Sequence, residues 1–167
     1  LFPSSFSLAD KTMPYITIVA ITFHILSAIV WVGGMFFAYV VLRPSLGFLE
    51  PPERLVLWNK VFPRFFFWVW IAAIALPVSG YIQVFLGFGG FEAAGMGVRI
   101  MHAIGLLMIA IYVFLYFVTF AEFRGAVEAE DWPRAGGVLA RIRRLVGINL
   151  ILGLLTSIIG ATERFWT

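Results

Sequence analysis

Cysteine is absent from this 167-residue chain, and charged residues make up only 13% of it. Without cysteine there is no disulfide, no iron–sulfur cluster and no thiolate zinc site. A soluble domain of this size carries about 25% charged residues, so the deficit excludes a surface turned mainly to water. Histidine is scarce as well, with His24 and His102 the only two. Any metal or redox chemistry therefore rests on two imidazoles and five methionines. Nothing resembles a hydrolase triad, a phosphate-binding loop or a paired-carboxylate site. The net charge of +3 comes from basic residues flanking apolar runs, which reads as orienting charge rather than a nucleic-acid surface.

Apolar and aromatic residues dominate what is present. The mean hydropathy is +0.98, with eighteen Phe and six Trp. Four segments approach the ~20 residues needed to cross a bilayer, at about 15–42, 65–86, 98–120 and 145–162. The expected fold is all-α: one integral membrane domain over 1–167, a four-helix bundle with no soluble domain in its short loops. The chain opens Leu1-Phe2-Pro3, so we expect residues before Leu1, and no cleavable signal peptide is expected from Leu1 onward.

Arg43, Arg54, Lys60 and Arg64 surround the first connection, and Arg124, Arg134, Arg141, Arg143 and Arg144 the third. Only Lys11, Arg99 and Arg164 lie elsewhere. The positive-inside rule then puts connections one and three in the cytoplasm. Both termini and the loop Gly87-Phe88-Gly89-Gly90-Phe91-Glu92 face outward, with a bacterial inner membrane as the expected location.

Each span carries a stripe of small or polar residues at helical spacing: His24, Ser27, Trp31 and Gly34; Ala72, Ala75, Ser79 and Gln83; His102, Gly105, Tyr112 and Tyr116; Asn149, Gly153, Thr156 and Gly160. Helices in lipid associate by close packing of small residues, so these stripes should face the bundle interior. Pro77 is expected to kink the second span. Trp132-Pro133 reads as a helix start, with Asp131 a possible cap.

An ionisable side chain inside a membrane is a functional-site hypothesis by default. His24 and His102 lie in parallel spans, roughly 15 Å and 7 Å below the outer end at 1.5 Å per residue. The leading expectation is a b-type cytochrome. One haem b sits between helices 1 and 3, its iron ligated by His24 and His102, with Ser27 and Gly105 leaving room and Trp31 stacking. A His/Met variant would use Met101 or Met35. Such a protein would pass electrons to a quinone or to other membrane subunits, as an electron-transfer or accessory subunit rather than a stand-alone enzyme. Copper handling is the alternative, because thioethers with imidazole suit Cu(I): Met96, Met101 and His102 cluster at the outer mouth, with Met13 nearby. A third possibility is a cofactor-free structural subunit whose histidines only hydrogen-bond neighbours such as Ser79 or Thr156. At the opposite end, Arg43-Pro44 and Arg64 could hold lipid phosphates or cofactor propionates, though ordinary snorkelling arginines explain them too.

Two stretches carry a family resemblance. His24-Ile25-Leu26-Ser27-Ala28-Ile29-Val30-Trp31-Val32-Gly33-Gly34 resembles the His-(x)6-Trp-x-Gly-Gly signature of the copper-resistance D (CopD) family. Arg144 through Leu155 is similar to that family's last conserved helix, and Phe62-Pro63-Arg64 through Ser79-Gly80 to its second. The resemblance implies a membrane bundle linked to copper uptake. A more distant likeness, to HemJ-type protoporphyrinogen oxidases, implies a helix-1 histidine and haem b. The chain departs from both patterns, with Asn149 where CopD members tend to have Glu, and Arg99 and His102 where the oxidases have Lys. His102 is thus this chain's own second candidate ligand.

Overall fold

A computed structural model describes residues 8–165, with side chains described from Tyr15 onward except Arg164. Lys11, Met13 and Arg164 lie outside those side chains, and Leu1-Phe2-Pro3 outside the described residues. Four long apolar helices make up the described chain: α1 (Tyr15–Ser45), α2 (Pro51–Gly87), α3 (Met96–Glu128) and α4 (Trp132–Thr162). No strand occurs among the described residues. The all-α membrane bundle expected from composition is therefore the observed architecture.

The helices outrun the apolar segments, and the excess has a local cause. The second span was expected from about residue 65, yet α2 starts at Pro51. There Glu50 and Glu53 form a reciprocal capping box, and prolines 51 and 52 supply the preset first turn. The fourth was expected from about residue 145, but α4 starts at Trp132, where the Asp131 carboxylate accepts from the Arg134 N–H at 3.1 Å. Hydropathy marks where lipid begins, whereas capping marks where helix begins. Arg54, Lys60, Arg64 and four arginines of α4 consequently sit on helical extensions and not in loops.

The connections are short and chemically defined. Gly89 and Gly90 take φ values of 80° and 122° between α2 and α3, a conformation costly for any residue with a Cβ. Between α3 and α4, Glu130 occupies the left-handed position at φ 54°. Its N–H bonds Val127 O and the Asp131 N–H bonds Ala126 O, so the α3 terminus is a Schellman motif with glutamate where glycine is usual.

Chain order sets the packing. α1 lies against α2 and α4, while α3 lies against α4 and contacts α2 through aromatic rings, leaving α1 and α3 diagonal. The α3–α4 seam is antiparallel, with methionines over glycines. A Cβ at Gly160 would lie 3.0 Å from Met101 Sδ, and one at Gly153 would lie 3.2 Å from Met108 Cε. Gly153 also receives α1, since the same Cβ would meet Val32 Cγ2 at 2.8 Å. The expected interior stripes face inward over most of their length, with Trp31, Ala72, Ser79, Tyr112, Asn149 and Gly153 buried, whereas Gly160 at the end of the fourth stripe is exposed. Ile18, Phe23, Phe67, Ile74, Phe117 and Ile151 are exposed, as an apolar face turned to lipid requires.

Core packing is uneven along the bundle. The arginine-rich half holds the main core, where Trp58, Phe62 and Phe66 stack in sequence on α2, their successive ring centroids 5.0 and 5.3 Å apart. Tyr112 donates to Phe66 O at 2.9 Å and ties α3 to α2. Among the described residues, the glycine-loop half holds a small cluster of Val84, Ala94 and Val98, with Phe91 and Met101 against it. Both histidines lie in this less crowded half.

Candidate functional site

His24 projects from α1 onto α2 at the point where small residues admit it. A Cβ at Gly80 would stand 3.4 Å from His24 Cε1, so the glycine makes room for the ring. His24 Nδ1 lies 3.0 Å from Ser79 Oγ. Ser79 Oγ is also 2.6 Å from Ala75 O and 3.1 Å from Leu76 O. A hydroxyl has one proton, and two oxygens 2.6 Å apart need it between them. That proton is therefore committed to the α2 backbone, and Ser79 Oγ acts as acceptor toward His24. Nδ1 carries the imidazole proton, and Nε2 keeps its lone pair. Metal-binding histidines are commonly oriented in this way, with the non-ligating nitrogen donating to a nearby oxygen.

His102 stands in a different setting. Its ring packs between Tyr81 (centroids 5.5 Å apart) and Phe91 (5.1 Å), at the mouth formed by α2, the glycine loop and α3. It has no hydrogen-bond partner among the described residues. Ser79 and Tyr81 are two positions apart on a helix of 3.6 residues per turn, so they project roughly 200° apart. His24 thus meets α2 at Ser79 and Gly80, whereas His102 meets it through the ring of Tyr81.

The remaining candidates divide between site and core. Trp31, expected to stack on a macrocycle, is buried against Tyr112 at 5.9 Å in an edge-on contact, and Met35 is likewise core. Ser27 is buried on the His24 face. A Cβ at Gly105 would meet no atom within 4 Å, so open space lies one turn beyond His102. Met101 packs over Gly160 on α4, while Met96 is 64% exposed in the first turn of α3. Met96, Met101 and His102 thus share the mouth but turn to different neighbours. No group of three or more His, Cys, Asp or Glu side chains converges among the described residues. Thr156 bonds its own helix at Leu152 O. Asn149 is buried, with Nδ2 donating to Met108 O at 3.1 Å, and so serves the α3–α4 seam.

Glu163 was not singled out by the sequence, yet it organises the mouth. Its Oε1 accepts from the Val98 N–H at 3.1 Å, capping α3 from the end of α4. The approach requires glycine, since a Cβ at Gly95 would come within 2.8 Å of the same oxygen. The readable signal was the pair Gly95 and Gly97 flanking a helix start that has no side-chain cap of its own.

A protein of Aquifex aeolicus (strain VF5), described as uncharacterized, is 26% identical over 144 residues, covering 84% of this chain and 90% of that protein. No solved structure matches the chain. The family model described as copper resistance protein D matches residues 59–162, which include His102, Asn149 and all of α3 and α4. The chain belongs to the copper resistance protein D family.

Proposed function

We propose that this protein handles copper ions as cargo in the membrane, using the imidazoles of His24 and His102 in the glycine-loop half of the bundle. The observation that carries the proposal is the committed Ser79 hydroxyl, which holds His24 as the Nδ1–H tautomer with Nε2 available to a metal. A neutral imidazole costs far less to keep within the bilayer than a full charge. Imidazole and thioether together suit Cu(I), so Met96, Met101 and His102 at the mouth act as successive contacts and not as one chelate. With the termini and the glycine loop outward, as the basic residues favour, copper meets His102 before His24. The inner membrane of a bacterium is the corresponding location.

The haem reading asks more of the same residues. Two axial imidazoles must face each other across a macrocycle, and Trp31, the residue expected to stack on it, is packed into the core. Copper needs no such opposition.

Purified protein titrated with Cu(I) against a chromophoric Cu(I) chelator tests the proposal. We expect Cu(I) to bind at each imidazole, with affinity falling about tenfold or more at one site in His24→Ala and at the other in His102→Ala. Unchanged Cu(I) affinity in both folded variants overturns it. A reduced-minus-oxidised spectrum with sharp low-spin haem bands that vanish in both variants would replace copper with a b-type haem.

A further inference from the structure

The opposite end of the bundle carries a second site, independent of the copper reading. A cleft of about 540 Å³ opens where α1, α2 and α4 meet, lined by Arg43, Arg54 and Arg143 together with Tyr39, Trp58 and Trp132. No carboxylate lines it. Arg143 is half-buried and feels the like charges of both Arg43 and Arg54. Arg43 is steered by stacking 5.4 Å over the Tyr39 ring.

The acidic residues near this end are largely committed elsewhere. Glu50 and Glu53 cap α2. Glu122 holds Arg134 at 3.5 Å and Arg141 at 2.8 Å, Glu128 pairs with Arg124, and Asp131 caps α4. Arg43, Arg54 and Arg143 form no ion pair among the described residues. Three guanidiniums converging without a counter-charge are unfavourable unless an anion completes them. Arg64, which the sequence had suggested for such a role, instead donates to Lys60 O on its own helix.

We propose that this cleft binds a phosphate group. Guanidiniums present paired N–H donors that match phosphate oxygens, and a phosphate has enough oxygens to engage three of them at once. The cleft lies where the apolar run of α1 ends at Leu42 and that of α4 begins beyond Arg144. This is headgroup depth, and Trp58 and Trp132 are the amphipathic side chains usual there. An anionic phospholipid headgroup and a soluble phosphate compound share this chemistry.

Full-length protein in detergent distinguishes them. Phosphatidylglycerol, phosphatidylcholine and inorganic phosphate are added separately, and binding is read by native mass spectrometry and by the shift in thermal unfolding. We expect a phosphatidylglycerol adduct and a rise in Tm that phosphatidylcholine does not give. Both should weaken about tenfold or more in Arg54→Gln/Arg143→Gln and persist in Arg64→Gln, which removes one charge outside the cleft. Stabilisation by inorganic phosphate that needs the same two arginines supports a soluble ligand. Absence of binding by either probe, or binding that the double variant retains, overturns the proposal. The double variant should fold, since it relieves repulsion, and its circular dichroism and elution volume verify this.

Discussion

Gly153 is the most closely approached glycine on α4, and replacing it with alanine tests the packing logic of the whole bundle. The new methyl would meet Val32 Cγ2 at 2.8 Å and Met108 Cε at 3.2 Å. Val32 is β-branched on a helix and has essentially one rotamer, so relief must come from helix displacement. Met108 is unbranched and can move, though it is buried. Overpacking of this kind costs about 1–3 kcal/mol, offset by the ~1 kcal/mol that alanine gains over glycine in a helix. A net loss centred near ~1 kcal/mol, and at most about 2 kcal/mol, is expected. Gly160→Ala is the matched control. It would lie 3.0 Å from Met101 Sδ alone, a flexible chain beside open lipid, and should be neutral or stabilising by up to about 1 kcal/mol. Reversible unfolding in mixed micelles with increasing dodecyl sulfate, followed by far-UV circular dichroism, measures both. If Gly153→Ala matches wild type, or if Gly160→Ala loses as much, the three-helix junction at Gly153 is not as described.

Three other single contacts are open to direct test. Ser79→Ala removes the oxygen 3.0 Å from His24 Nδ1 and should weaken Cu(I) binding by about 10–100-fold while leaving unfolding within about 1 kcal/mol of wild type. Equal copper affinity in a Cu(I) competition assay would remove Ser79 from the site. Glu130→Gly relieves a left-handed residue at φ 54° and should stabilise by about 0.5–1 kcal/mol, read as a higher Tm. Glu163→Ala leaves the Val98 N–H without its partner and should cost about 1 kcal/mol, with earlier hydrogen exchange in the first turn of α3 as the local signature.

The sequence by itself determined the class of this protein. Hydropathy and the charge deficit specify an apolar helical bundle in lipid, because those properties reflect transfer free energy and need no partner. Spacing alone also marked the interior stripes: Ser79, Tyr112, Asn149 and Gly153 are buried where the helical period put them. Asp131 was legible as a cap because capping is a local hydrogen bond.

What only the tertiary structure decided is how residues far apart in the chain meet. The hydrogen-bond partner of His24 is a serine 55 positions away, and no periodicity within α1 encodes it. The neighbours of His24 (Ser79 and Gly80) and of His102 (Tyr81 and Phe91) depend on which face of α2 each adjacent helix covers. Arg54 and Arg143 read as orienting charge until α1, α2 and α4 bring them to one cleft with Arg43. Glu163 gained its role from the antiparallel register of α3 and α4, which sets Gly153 opposite Met108 and Val98 opposite Glu163. Partition into lipid sums over single residues and is readable from sequence. Register and convergence are pair properties, settled only when the helices pack.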